Sequence, residues 1–378
     1  DSPARTCHSE ANFPYCLQDY IRVIEMQKRI VQAKRSYITR NVDLSVAATL
    51  EQGKPRSGDL ILARVDRVRH HTRLENTFGR REHLYPGDEI IVAVADRYAT
   101  GQFHAQVPDQ LGACHLVAAG GIAAEVMQRN AGVKGATEIT AIGLLCDSTG
   151  NPLNLSQFAP LDKLEVTPVT LQQLPTLLVM GSDMNSGKTT LACAAANGLR
   201  QAGYRISVTK LTGTGAGPDY WRMLDAGADR VVDFLDAGYP STVGMKPAQL
   251  ISILQQFKTD ALQQGADILI VEVADGVLQP ENRALLESTR FISEISAALV
   301  AADGAIAATM TAQTVLHAGI RVLGIGGLIS RSPLSCDEAR VSLGLPILEL
   351  KDFHQNNTRD YILGCLFGAD KYVATHSC

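Results

Sequence analysis

Apolar residues recur at helical spacing near the start of the chain, at Leu17, Ile21, Ile24, Val31 and Ile38, with Arg22, Lys28, Arg29, Lys34 and Arg35 between them. The spacing predicts one long amphipathic helix from about Tyr15 to Tyr37, packed on its own domain or on a second subunit. Its apolar stripe is narrow for a helix that lies on a membrane surface. Between residues 57 and 165 the grammar changes to short β-type runs separated by turn signals: Leu60–Val68, Phe78-Gly79, His83–Tyr85, Pro86-Gly87-Asp88, Glu89–Val94, and Thr137–Cys146 ahead of Asp147–Pro152. These predict a small β-rich domain. Within it, Cys114–Val126 sets Gly120-Gly121 ahead of an Ala-rich helical pattern, either a plain turn or a place where backbone N–H groups meet an anion.

From Thr176 onward the order becomes strand, Gly-rich turn, helix, strand. Leu177–Met180, Arg205–Lys210 and Ile268–Val273 read as strands, and Lys188–Ala202 and Pro247–Gln264 as helices. Further apolar runs follow at Ala298–Val300, Gly304–Thr309 and Val322–Ile325. Alternating strands and helices imply an α/β fold with a parallel sheet covered on both faces, and ligands at the carboxyl ends of its strands. Pro160, Pro168 and Pro175 cluster in a linker near Leu155–Pro175, so the expected division is residues 1–165 and 166–378.

Composition narrows the class. A chain of 378 residues that is 46% hydrophobic can fill two cores. Its 35 Lys+Arg against 39 Asp+Glu leave a net charge of −4, which argues against a nucleic-acid partner held by bulk electrostatics. Runs such as Ile268–Val271 and Ala297–Ala301 fall far short of the ~20 residues that span a bilayer. The eight cysteines, Cys7, Cys16, Cys114, Cys146, Cys193, Cys336, Cys365 and Cys378, form no C-x-x-C pair and are expected to be reduced thiols. A cytoplasmic location is expected, although the chain opens at Asp1 rather than Met, as if something upstream had been removed.

One segment carries specific chemistry. Gly181-Ser182-Asp183-Met184-Asn185-Ser186-Gly187-Lys188-Thr189-Thr190 follows an apolar strand and opens a helix, the context of a phosphate-binding loop. Loop N–H groups would face the phosphates, Lys188 would add a cation near the β and γ oxygens, and the Thr189 hydroxyl would ligate Mg²⁺. Lys210 ends a neighbouring strand, where it supplies a second cation or is a surface lysine. Glu272 closes the buried run Ile268–Val271 and needs a cation partner, either Mg²⁺ or a salt bridge. The stretch Leu211–Asp219, with Thr212 and Thr214, is a substrate loop or a connector. Among Asp219, Asp225, Asp233 and Asp236, Asp219 is the preferred metal or substrate-amine contact. Gly324–Gly327 is read as strand-end packing next to the base pocket. Arg67, Arg69, His70, His71, Arg73, Arg80, Arg81 and His83 make one hairpin basic, as an anion site or, more simply, a solvated face.

Five residues rather than four separate Gly181 from Gly187, and Ser182 stands where the first loop glycine usually sits. In this the loop resembles that of dethiobiotin synthetases, and it is similar to the loop of a P-loop family that includes D-glutamate N-acetyltransferases. Gly203–Lys210 resembles the synthetases' second strand, whose terminal lysine helps bind the reacting phosphate. Val271–Gly276 resembles the strand end whose glutamate helps hold Mg²⁺, with Val273 and Asp275 in place of small residues. The resemblance, over residues 176–329, implies an enzyme that uses ATP and Mg²⁺ to phosphorylate a small-molecule carboxylate or carbamate for C–N bond formation. Catalysis would then rest on Lys188, Lys210 and Asp219, and the chain would be a homodimer or larger homo-oligomer. The alternatives are an N-acyltransferase using acyl-CoA and an ATP-dependent regulatory protein. Thr209-Lys210-Leu211-Thr212 lacks the aspartate of a guanine-reading motif, and Gly181–Ser186 lacks the early lysine of partition-type switch ATPases.

Overall fold

The computed structural model describes residues 24–163 and 174–368. In the amino-terminal half, Glu89–Val94, Leu60–Arg67, Thr137–Cys146, Ala113–Ala118 and Ile122–Arg129 pair in that order. Ile122–Arg129 also runs parallel to Glu89–Val94, so the path closes on itself. Closure removes the exposed edges that an open sheet of this size would carry. Side chains alternate between two packed faces, as the two-residue period of a strand requires. Ile61, Ala63 and Val65 join Ile90, Val92 and Val94 in one cluster, while Leu60, Leu62, Ile91 and Ala93 turn to another.

The long helix expected from Tyr15 to Tyr37 is shorter at its carboxyl end. Helical structure covers 24–32, and residues 15–23 lie outside the described residues. Lys34–Arg35 instead adds to the sheet, in parallel register with Ile90 and Ile91, and Ser36 N–H donates to Ile91 O at 3.1 Å. Once Glu89–Val94 takes those backbone groups, the helix cannot keep them. The buried stripe also differs. Met26, Ile30 and Ala33 are covered, whereas Ile24 and Val31 are exposed.

Cys114–Val126 contains no helix. It is a hairpin of Ala113–Ala118 and Ile122–Arg129 that turns at Gly121, whose φ is 113°. Its small residues serve close packing: a Cβ on Gly120 would stand 2.0 Å from Gly215 O in the carboxyl-terminal half.

That second half is an α/β layer structure, as expected. Its six strands are all parallel, in the order Arg230–Asp233, Ile206–Lys210, Ile268–Glu272, Thr176–Gly181, Ala297–Ala301 and Val322–Gly326. Leu178 and Met180 pack with the helix Pro247–Gln263, and Leu177 and Val179 with the helix Lys188–Gln201 on the other face. The run Gly304–Thr309 opens the helix Ala305–His317. The loop expected to reach Asp219 ends sooner, because Pro218 lies in the first turn of the helix Gly217–Asp225.

Candidate phosphate-loop site

Sheet register assembles the site. Lys210 stands beside Glu272, and Glu272 beside Val179, two residues before Gly181. The strand of Lys210 is thus not the immediate neighbour expected for the phosphate-loop strand but one removed, with the strand of Glu272 between them. The three ends lie side by side where an open parallel sheet places its ligands. After Gly181 the chain rises through Asn185, at a φ of 66°, and Gly187, at 102°, before entering the helix at Lys188. Gly187 packs against Gly327, whose Cα would lie 2.8 Å from an added Cβ. Gly324–Gly327 is thus strand-end packing beneath the loop.

Lys188 is buried, and its Nζ donates to Asp183 O at 2.7 Å. Burial lowers its pKa, and Glu272 is the largest of the influences that resist this. The Thr189 hydroxyl donates to Glu272 Oε1 at 3.0 Å. Glu272 is 2% exposed, and its other oxygen, Oε2, has no hydrogen-bond partner among the described residues. Burial raises the Glu272 carboxyl pKa, while Lys210 pulls it back. Lys210 forms an ion pair with Asp219. Burial works against its charge, but Asp219 and Glu272 outweigh burial and hold the ammonium above its ordinary range; Lys210 in turn holds the Asp219 carboxyl low.

These groups line one cavity of about 720 Å³ between the two halves of the chain. Asn185, Gly187, Lys188, Thr189, Thr190, Lys210, Thr214, Asp219 and Glu272 reach it. Gly181, Ser182, Asp183 and Ser186 shape the loop behind that surface. Asp183 accepts the Thr100 hydroxyl at 3.0 Å, which ties the loop to the amino-terminal half. Thr212, expected to offer its hydroxyl to substrate, does not line the cavity. It is 1% exposed, and its hydroxyl accepts the Ala274 N–H at 2.9 Å, joining two strand-end loops. Asp233 and Asp236 hold Arg40 instead, each at 2.9 Å.

The basic hairpin divides. His70, His71, Arg73 and Arg81 reach the cavity; Arg69 pairs with Glu138 and Arg80 with Glu82. Three charged lining residues carry no site signal of their own in the sequence. Arg97 and Arg222 follow no motif, and Asp275 stood out only as a departure from a small-residue pattern. Asp275 has a φ of 58°, strained for a residue with a side chain, and burial raises its carboxyl pKa.

No protein-family model and no curated protein matches the chain. Among solved structures, the signal recognition particle 54 kDa protein from Aeropyrum pernix K1, in complex with GDP, is 19% identical over 58% of this chain and 52% of its own, with a TM-score of 0.37. Hydrogenase maturation factor HypB from Archaeoglobus fulgidus is 15% identical over 52% of this chain and 91% of its own, with a TM-score of 0.35. A DUF1611-family protein from Anabaena variabilis is 18% identical over 54% of this chain and 60% of its own, with a TM-score of 0.32. The chain thus spans about half the length of the first of these. The loop's own geometry, a glycine turn between a central parallel strand and a helix that opens on Lys188-Thr189, makes this half a P-loop fold.

Proposed function

We propose that the cavity binds ATP, with its phosphates on Gly181–Thr190, and transfers the γ-phosphoryl group to a carboxylate or carbamate oxygen of a small molecule. The observation that carries this reading is the convergence of Lys188, Lys210 and the Thr189–Glu272 pair on one cavity that also opens onto the amino-terminal half. The resemblance of the loop to that of dethiobiotin synthetases supports the same chemistry. On this reading residues 1–165 form the domain that selects and covers the substrate, and 166–378 the domain that holds the nucleotide.

Mg²⁺ fits the residues present. Among the described residues no group of three or more His, Cys, Asp or Glu side chains is arranged as a metal cage. Glu272 nevertheless keeps a buried oxygen unpartnered beside the Thr189 hydroxyl. One hydroxyl and one carboxylate, completed by phosphate and water oxygens, is a donor set this ion accepts. When bound, it would neutralise charge on the β and γ oxygens.

The chain's own residues do the rest. Lys188 leaves Asp183 O for the phosphates, and Lys210, oriented by Asp219, meets the transferred group. An oxygen of the substrate attacks Pγ, the bond to the β-phosphate oxygen breaks, and ADP leaves. An amine nitrogen then attacks the acyl carbon, phosphate departs, and Asp275 takes the amine proton. Positioning and fixed charge supply the acceleration.

Calorimetric titration with ATP and Mg²⁺ tests the reading. Lys188→Ala should weaken ATP binding by at least about tenfold, the equivalent of roughly 1.4 kcal/mol. Unchanged affinity would sink the assignment, and binding of acyl-CoA without ATP would favour acyl transfer.

A further inference from the structure

The cavity wall formed by the amino-terminal half carries a charge that phosphate binding on the loop does not use. Arg97, in the short strand Arg97–Tyr98, is 6% exposed and lines the cavity. Its Nη2 donates to Gln102 Oε1 at 2.8 Å. Its Nε and Nη1 are buried and have no hydrogen-bond partner among the described residues. The other guanidinium groups at the cavity differ: Arg81 is neutralised by Glu75 at 3.1 Å, Arg222 donates to the Thr190 hydroxyl at 2.8 Å, and Arg73 is exposed.

A guanidinium taken out of water is costly unless an anion and hydrogen-bond acceptors replace that water. Here burial pushes the Arg97 pKa down to about 10, and the field of Asp275 only partly offsets it. His71 beside it is held neutral by burial and turns Nε2 to Val117 O at 2.9 Å, so it makes no ion pair with an incoming anion. Phe103, buried behind this wall, packs edge-on against His70. A buried guanidinium that lines a cavity and keeps donors unpartnered is what an oxyanion receptor requires before its ligand arrives.

We propose that Arg97 is the receptor for an oxyanion of the small-molecule substrate, a carboxylate or a phosphate, held on the amino-terminal wall of the cavity. This rests on the reading of the cavity as a phosphoryl-transfer site. It deepens that reading by assigning the substrate an acidic group besides the one that reacts.

Calorimetric titration of the full chain carrying Lys188→Ala tests it, because that substitution removes the loop's own pull on phosphate. Succinate and inorganic phosphate serve as probes at fixed ionic strength. At least one should bind, and adding Arg97→Gln should weaken it at least thirtyfold. Arg97→Lys should recover part of the affinity, since it keeps the charge and loses the planar fork. If Arg97→Gln does not fold, a clear loss in Arg97→Lys supports the proposal by itself. Succinate binding alone assigns a carboxylate, and phosphate binding alone a phosphate. Failure of both probes, or equal affinity with and without the Arg97 guanidinium, overturns the receptor. A separate titration of the wild-type chain with a non-hydrolysable ATP analogue and Mg²⁺ reports on the nucleotide reading, so either idea can fail alone.

Discussion

A titratable group buried without a counter-charge leaves its mark on the pH dependence of stability, and His71 is such a group. Burial and the nearby Arg97 depress its pKa from 6.5 to about 3. The folded value lies below the unfolded one, so between those limits the unfolded chain binds the extra proton. Stability tied to His71 is thus fully present above about pH 6.5 and is lost as the pH falls towards 3. The slope approaches roughly 1.4 kcal/mol per pH unit. His71→Gln removes this proton uptake and keeps a donor for Val117 O. Urea unfolding between pH 7 and pH 5 should show the wild type losing about 2 kcal/mol more than His71→Gln, since the full slope is reached only well below pH 6.5. Parallel curves would mean that His71 takes up its proton as readily in the fold as in the unfolded chain.

At the scale of elements, the phosphate loop depends on a strand end far from it in sequence. Gly327, at a φ of 87°, would place a Cβ 2.3 Å from Ser186 O, and Leu328 N–H donates to the same oxygen at 3.0 Å. Gly319 has almost the same φ, 88°, with nothing within 4 Å of an added Cβ. Both Ala substitutions carry left-handed strain of about 1–2 kcal/mol, but only Gly327→Ala also pushes on the loop. Titrated with ATP and Mg²⁺, Gly327→Ala should lose at least about tenfold in affinity, while Gly319→Ala stays near wild type. Equal affinities would show that the loop does not lean on this strand end.

The same contrast shows what was legible in the sequence. The loop, the strands Thr176–Gly181 and Thr137–Cys146 and the helix Lys188–Gln201 follow from local spacing and local turn chemistry. The hairpin at Gly121 does not, because the alanines that flank Gly120 and Gly121 in its two strands mimic a helical pattern. The helix stop before Lys34 is likewise set by a strand more than fifty residues away. At the site, Lys210 and Glu272 could be placed from strand ends, but Arg97 could not. It follows no motif, and only the approach of the two halves brings it to the cavity of Lys188.

For the whole molecule, that approach has a charged clamp. Arg40, in the amino-terminal half, reaches Asp233 and Asp236 in the carboxyl-terminal half at 2.9 Å each, with its side chain 12% exposed. Its guanidinium lies over Tyr37, 4.6 Å from the ring centre, and Asn41 adds a hydrogen bond to Asp236 at 2.9 Å. Around the clamp, Tyr37 and Ile38 share an apolar cluster with Phe234 and Leu235. Arg40→Ala leaves two buried carboxylates facing each other, the situation in which breaking a buried pair costs about 3–5 kcal/mol. The deficit should shrink on acidification from pH 7 to pH 5. Burial raises the Asp233 pKa even with Arg40 present, so without the guanidinium the folded form takes up protons before the unfolded chain does. Arg40→Ala with Asp233→Asn and Asp236→Asn should regain most of the loss, because no buried charge then stands unpaired. Urea unfolding of the three proteins at both pH values decides the matter. A deficit below about 1 kcal/mol in Arg40→Ala, the size of a surface pair, would leave the apolar contacts alone to hold the cavity walls together.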